Sequence, residues 1–143
     1  MSKELNTPFV LFSLNTTNGV LEEEVVKSLG LPYKALKGSH EQNLEKTYMV
    51  LIAGEDNKFS LDLDKLARVK NLAWDHKQEC VLVVSSSRSS ILEYANGNTV
   101  HTGQFIRCDK AKALLHHSWT YDSLNDQYWI AEYANGEVTD AQN

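Results

Sequence analysis

Two carboxylates stand beside strongly apolar segments of this sequence, where an acidic side chain could take part in chemistry. Glu45 comes near the end of the polar stretch 37–46, shortly before an apolar run that begins at Thr47. Glu79 lies inside the segment QECVLVV, residues 78–84. Because an unpaired buried charge is costly, we expect Glu79 either at the end of a sheet or beside a positive group. Glu45 is by itself most simply a solvated loop residue, and contact with a ligand is the alternative.

Common catalytic and metal-binding patterns are missing from the sequence. The motifs GxxxxGK[ST], GxGxxG, GxSxG and HExxH do not occur. His116 and His117 are adjacent and cannot both face one side of a regular element, so no metal site is expected there. A break between helix and strand is expected between His76 and Cys80, which argues against a shared ligand. Cys80 and Cys108 form no CxxC pair and are expected to be free thiols.

Aromatic residues gather late in the chain, at Trp119, Tyr121, Tyr128 and Trp129. Alternating aromatic positions on paired strands usually pack in a core or between subunits. Stacking on an adenine ring is the alternative role for them.

The composition is that of one globular domain spanning residues 1–143. Apolar residues make up 42%, charged residues 23%, and there are only 2 prolines, which argues against disorder. No segment approaches the roughly 18 apolar residues of a membrane-spanning helix, and the first residues do not resemble a signal peptide. We therefore expect a soluble, cytoplasmic protein. A formal net charge of −5 argues against a nucleic-acid partner and is compatible with a cationic small molecule.

The pattern of apolar residues predicts alternating strands and helices in the first part of the chain. Strands are expected at 9–14, 31–38, 46–54 and 78–87, with a helix in 19–30 and another at about 61–76 that Ser60 caps. A tail of short strands follows, in segments 91–98, 99–108, 118–123 and 126–137, with a short helix near 109–116.

This order predicts an α+β fold: a ferredoxin-like β-α-β-β-α-β antiparallel sheet with a C-terminal β extension. Two helices on one face of such a sheet leave its other face uncovered. Because oligomerisation is a common way to cover an exposed sheet face, we expect an oligomer.

Several segments resemble the phage-encoded S-adenosylmethionine lyases, also called SAM hydrolases. The most specific is QECVLV at 78–83, followed by LEYANG at 92–97 and GQF at 103–105. The Gly-x-Tyr and Glu-Lys-Thr motifs of the family are matched by Gly38-Ser39-His40 and by Glu45-Lys46-Thr47. The resemblance extends over about residues 9–131.

The resemblance implies a fold similar to the trimeric nitrogen-regulatory signalling proteins, with active sites between the subunits of a homotrimer. It also implies a reaction, the conversion of S-adenosyl-L-methionine to 5′-methylthioadenosine and L-homoserine lactone. A phage would use this reaction to deplete the methyl donor of host restriction-modification. No cofactor and no metal are implied, because the substrate's own carboxylate displaces its sulfonium group.

The enzyme's main task in such a reaction is orientation, which can supply roughly 7–11 kcal/mol in favourable intramolecular cases. Carried over from the family, Glu45 is predicted to hold the substrate ammonium group and His40 to replace the family tyrosine. Tyr33 or Tyr48 is the alternative source of that hydroxyl.

The complete predicted site has catalytic and substrate-binding members. The catalytic residues are Glu45 and His40, and the substrate-binding residues are Gly38, Ser39, Gln78, Glu79 and Phe105. The alternative function is a non-catalytic trimeric module that binds S-adenosylmethionine or a nucleotide as a sensor or sponge.

Overall fold

The structure, a computed structural model, describes residues 7–14, 19–40, 43–116 and 118–132. Within those ranges the chain forms strands and helices with the bounds β1 (Phe9–Phe12), α1 (Gly19–Lys27), β2 (Tyr33–His40), β3 (Asn43–Leu51), α2 (Leu63–Asp75), β4 (Cys80–Val84), β5 (Ser89–Tyr94), β6 (Thr99–Cys108), α3 (Lys110–Leu114), β7 (Ser118–Asp122) and β8 (Gln127–Glu132).

The strands form a closed antiparallel barrel in the order β1-β3-β2-β7-β8-β6-β5-β4, and β4 pairs with β1 to complete the circle. The predicted ferredoxin-like α+β sheet with a C-terminal extension is therefore wrong, and so is the implied similarity to the fold of the trimeric nitrogen-regulatory signalling proteins. Strands β5 to β8 do not lengthen an open sheet, because β5 pairs with β4 and β7 pairs with β2, which joins its two edges. The second half of the chain therefore covers the sheet face that the predicted fold left exposed. The oligomer was expected in order to cover that same face.

Residues of β1 alternate between two apolar cores, which explains why this strand is apolar at every position. Phe9 and Leu11 belong to a cluster inside the barrel, together with residues from β2, β4, β6 and β8. Val10 and Phe12 belong to a second cluster that includes helix residues. Since successive side chains of a strand point to opposite faces, β1 is buried on both sides.

Helices α1 and α2 pack on the outside of the barrel. Val26 of α1 and Val69 and Ala73 of α2 are fully buried in the outer core. The N-cap of α2 is Asp62 rather than the predicted Ser60, because the Asp62 carboxylate accepts hydrogen bonds from the backbone N–H groups of the first turn. Among the described residues, no helix has the length and apolar content needed to cross a membrane.

Strands β2 and β3 form a long hairpin that includes most of the predicted polar loop. The register pairs Gly38 with Glu45, Ser39 with Leu44 and His40 with Asn43. Pairing as far as His40 and Asn43 satisfies backbone groups that a loop would leave to water. The backbone of Glu45 therefore lies within a strand, directly opposite Gly38.

A polar network at one end of the barrel connects β2 to β7. Lys34 Nζ donates to Asp122 Oδ2 at 2.7 Å, and Asn125 Nδ2 donates to the same oxygen at 2.8 Å. The backbone N–H of Leu124 donates to Asp122 Oδ1 at 3.0 Å. Burial acts to raise the pKa of Asp122, but the hydrogen bonds from Lys34, Asn125 and Leu124 outweigh it and lower the pKa below its usual value.

Candidate functional site

A cavity of about 890 Å³ extends from the barrel interior to its other end. This volume lies within the range of roughly 300–1,000 Å³ found for small-molecule sites. Its lining comes from strands all around the barrel and from the segments that connect α2 to β4 and α3 to β7. A small molecule in this cavity would contact parts of the chain that are far apart in sequence.

An aromatic layer forms the floor of the cavity. The rings of Phe105 and Trp129 are stacked, with centroids 5.5 Å apart and an interplanar angle of 3°, and Phe9 meets Phe105 edge-on at 5.5 Å. Leu11, Phe105 and Trp129 also line a much smaller cavity on the Lys34–Asp122 side, so this layer separates the two ends of the barrel. All four apolar side chains are buried, which makes the floor a packed platform.

One side of the cavity mouth is the connection between α2 and β4. Lys77 has a positive φ of 65° and turns the chain out of the helix, and the Gln78 N–H donates to Ala73 O at 3.0 Å. Glu79 follows as an exposed residue at the end of β4, and its carbonyl accepts a bond from Ala95 N at 2.9 Å. Glu79 was expected either at the end of a sheet or beside a positive group, and the structure places it at the end of the sheet.

The other side of the mouth includes His116, just after α3. Its Nε2 lies 3.4 Å from Glu132 Oε1, and Lys112 Nζ lies 2.9 Å from Glu132 Oε2. The hydrogen bond to Glu132 raises the pKa of Lys112. These contacts connect the short helix α3 to β8 beside the cavity wall.

The cavity wall has no room for a side chain at Gly38. A Cβ added at Gly38 would overlap Thr47 Oγ1 and would lie 3.7 Å from the Trp119 carbonyl. Thr120 is paired with Gly38 on the neighbouring strand, and both threonines line the cavity with only 7% of their surface exposed. We call the group of Gly38, Thr47 and Thr120 the glycine notch.

The structure places the predicted substrate-binding residues on this one cavity. They come from three separated parts of the chain and all belong to its lining: Gly38, Ser39, Gln78, Glu79 and Phe105. The two predicted catalytic residues, His40 and Glu45, have described backbones in β2 and β3, whereas their side chains lie outside the described part of the structure. The register puts the backbone of Glu45 opposite Gly38.

The two alternative tyrosines lie away from the cavity. The Tyr33 hydroxyl donates to Glu23 Oε2 at 2.8 Å, on the side of α1. Tyr48 is fully buried in the outer core, where it packs against Phe12 and Tyr33. Strand alternation explains this placement, because Thr47 and Met49, the neighbours of Tyr48, belong to the inner face.

The sequence indicates no site role for Thr47 or Thr120, and for Trp119 and Trp129 it is compatible with either packing or adenine stacking. Both tryptophans line the cavity, and Trp129 also packs in the inner core. The sequence does contain a signal for Thr47, because it follows Glu45 by two positions and residues two apart on a strand face the same side. No local signal exists for Thr120, because its place beside Gly38 depends on the pairing of β2 with β7.

No group of three or more His, Cys, Asp or Glu side chains suited to a metal ion occurs among the residues that the structure describes. His116 is on the cavity wall, while His117 lies outside the described residues. The absence of a metal in the reaction stays a prediction of the family resemblance.

The chain matches the model of a known protein family. The model of the S-Adenosylmethionine lyase family matches residues 14–132, well over half of the chain. The matched region includes every predicted site residue and the whole glycine notch. Neither the curated proteins nor the solved structures include a match to the chain.

Proposed function

The chain belongs to the S-adenosylmethionine lyase family, and on that premise we propose that it converts S-adenosyl-L-methionine to 5′-methylthioadenosine and L-homoserine lactone in the barrel cavity. One observation carries the proposal. Three segments that resemble the family's motifs meet at one cavity of about 890 Å³, although they are far apart in the sequence.

The proposed reaction is an intramolecular displacement. A carboxylate oxygen of the substrate attacks its own γ-carbon, and the bond between that carbon and sulfur breaks. The bonding electrons move to sulfur, which becomes the neutral thioether of 5′-methylthioadenosine, while the new carbon–oxygen bond closes the lactone ring. No proton has to move and no co-reactant is consumed, so the chain has to fold the substrate and align oxygen, carbon and sulfur.

The aromatic side chains of the cavity suit a substrate that carries a sulfonium group. Phe105, Trp119 and Trp129 line the cavity, and aromatic rings attract cations and stack on purine rings. The cavity has its floor inside the barrel, and a bound substrate would displace water from that floor. Exclusion of water favours attack by the substrate carboxylate over hydrolysis.

Glu45 is proposed to bind the substrate ammonium group, which leaves the carboxylate available for attack. The support is its backbone position, directly opposite the cavity residue Gly38. His40 is proposed to supply the hydrogen bond that a tyrosine makes elsewhere in the family. Its backbone pairs with Ser118, which lines the cavity mouth.

Substitution of Glu45 tests the proposal directly. Purified wild-type protein incubated with S-adenosylmethionine should yield 5′-methylthioadenosine and homoserine lactone on chromatography, and Glu45→Gln should lose most of that turnover while remaining folded. Glu55→Gln is a matched control, because Glu55 is exposed and pairs with Lys65 away from the cavity. Wild-type rates in Glu45→Gln would remove Glu45 from the mechanism, and intact substrate with the wild-type protein would refute the activity.

The second candidate function is a binding module that retains S-adenosylmethionine or a nucleotide without cleaving it. The observation that favours it is His40, which stands where the family has a tyrosine. A calorimetric titration that shows tight binding in the absence of any product would establish this function in place of the lyase.

The assembly and the biological context form part of the same proposal. We propose a homotrimer in the cytoplasm of a phage-infected cell, where consumption of the methyl donor would weaken host restriction-modification. Lys77 and Glu79 are exposed at the cavity mouth, where a neighbouring subunit would complete the site. Light scattering should give three times the mass of one chain, and a monomer would exclude sites between subunits.

A further inference from the structure

We propose that the glycine notch binds the amino-acid head group of S-adenosylmethionine, with the hydroxyl groups of Thr47 and Thr120 orienting its carboxylate. The inference rests on the proposed function and adds two residues that contact the substrate. It also gives Gly38 a positioning role, because this glycine leaves room for the Thr47 hydroxyl.

The geometry of the three strands creates the notch. Strand β2 lies between β3 and β7, and Gly38 pairs with Thr120 on one side and with Glu45 on the other. Thr47 pairs with Leu36, the inward-facing residue two positions before Gly38 on β2. Because a Cβ at residue 38 would overlap Thr47 Oγ1, the space of the missing side chain is available to the threonine hydroxyl.

The chemistry of the notch fits a carboxylate that has to remain a nucleophile. Threonine hydroxyls donate hydrogen bonds without a full positive charge, so they orient a carboxylate and stabilise it less than a lysine or arginine does. Both hydroxyls belong to side chains with 7% exposure, where a hydrogen bond competes with little water. The lysine of the cavity lining, Lys77, is exposed at the mouth.

The notch lies directly beside the aromatic floor, because Thr120 of the notch pairs with Trp129 of the floor on the neighbouring strand. Trp129 in turn stacks on Phe105 of β6, so hydroxyl groups and aromatic rings are neighbours in the cavity. The head group would then lie against hydroxyls while the nucleoside and sulfonium lie near aromatic rings. The backbone position of Glu45, opposite Gly38, puts the proposed ammonium ligand at the same end.

Two ligands test this arrangement. S-adenosylhomocysteine keeps the amino-acid head group, whereas 5′-methylthioadenosine lacks it. In calorimetric titrations, Thr47→Val and Thr120→Val should each weaken binding of S-adenosylhomocysteine about tenfold or more, the usual effect of losing a hydrogen bond to a charged group. Binding of 5′-methylthioadenosine should change by less than about twofold. Thr47→Ser keeps the hydroxyl and should bind both ligands nearly as well as the wild type, and Thr99→Val on the exposed start of β6 is the control.

A double-mutant cycle tests the positioning role of Gly38. Gly38→Ala should weaken binding of S-adenosylhomocysteine in the wild-type background and add little in a Thr47→Ala background, because the overlapping hydroxyl is then gone. Gly54→Ala is the matched control, since its added Cβ would lie 2.8 Å from Ser60 Oγ in a segment outside the cavity lining. Additive effects of the two substitutions would refute the positioning role.

The outcomes separate the notch from the proposed function. Suppose that the wild type cleaves S-adenosylmethionine, but the valine substitutions weaken the binding of both ligands equally or change the binding of neither. The notch proposal is then refuted and the proposed function stands. If the wild type binds neither ligand and leaves S-adenosylmethionine intact, the proposed function fails and the notch proposal fails with it.

Discussion

Asp122 offers a stability test of the barrel closure, because its carboxylate connects strands that are distant in sequence. Replacement by asparagine keeps the size of the side chain and removes the negative charge. Lys34 then loses its ion pair, and one oxygen that accepts from Lys34 and Asn125 becomes an amide nitrogen that cannot accept. The backbone bond from Leu124 to Oδ1 can be kept by the remaining amide oxygen.

The size of the effect follows from burial. The Asp122 side chain is 8% exposed, while that of Lys34 is 33% exposed and can turn toward water in the variant. A hydrogen bond to a charged group contributes about 1.5–3 kcal/mol, and the exposure of Lys34 keeps the loss below the full cost of an unpaired buried charge. We expect Asp122→Asn to lower the free energy of unfolding by about 2–3 kcal/mol, a fall in Tm of roughly 5–10 °C.

The pH dependence of this difference provides an independent check. The pKa of Asp122 is lowered in the folded state, so its contribution is fully present above the unfolded value of about 3.9 and is lost as the pH falls through the folded pKa. Urea unfolding of both proteins from neutral pH to about pH 3 should therefore show curves that converge at the acid end. A difference that stays constant with pH, or one below about 0.5 kcal/mol at neutral pH, would refute the reasoning.

Four further substitutions probe other parts of the structure. Asp62→Ala should cost about 1 kcal/mol in urea unfolding through loss of the α2 cap, whereas Ser60→Ala should cost much less; equal losses would contradict the cap assignment. Leu82→Trp should place an indole ring in the cavity and abolish ligand binding in calorimetry while Tm stays within a few degrees, and unimpaired binding would move the ligand elsewhere. Glu132→Gln should change the free energy of unfolding by less than about 1 kcal/mol, because its ion pair with Lys112 is partly exposed; a loss as large as that of Asp122→Asn would contradict this estimate.

Local patterns in the sequence predict most of the elements but not the closure of the sheet. The apolar spacing of α2 and the continuous apolar run of β4 are strong signals, and both elements are present in the structure. The sequence predicts the wrong cap for α2, because Ser60 and Asp62 are both residue types that cap helices. In the structure Asp62 accepts the hydrogen bonds of the helix N–H groups, whereas the Ser60 hydroxyl donates to Asn57 O. Closure depends on the pairing of β2 with β7 and of β4 with β5, and no local pattern names a strand's partner.

The sequence predicts part of the site, and it does so through short family motifs instead of the spacing of apolar residues. Gln78, Glu79 and Phe105 came from motifs shared with a family, and the structure places all three on the cavity. Thr120 had no such motif, and its position emerges only when β7 closes the barrel beside Gly38. Chemistry carried by short motifs is therefore visible in this sequence, whereas chemistry assembled by strand register is not.

The fate of oxygen during S-adenosylmethionine cleavage tests the central claim most directly. The reaction is run in water enriched in heavy oxygen, and the early products are analysed by mass spectrometry. Attack by the substrate's own carboxylate predicts 5′-methylthioadenosine and an equal amount of homoserine lactone without the heavy isotope. Intact S-adenosylmethionine, or homoserine that carries the heavy isotope in its γ-hydroxyl group, would contradict the account.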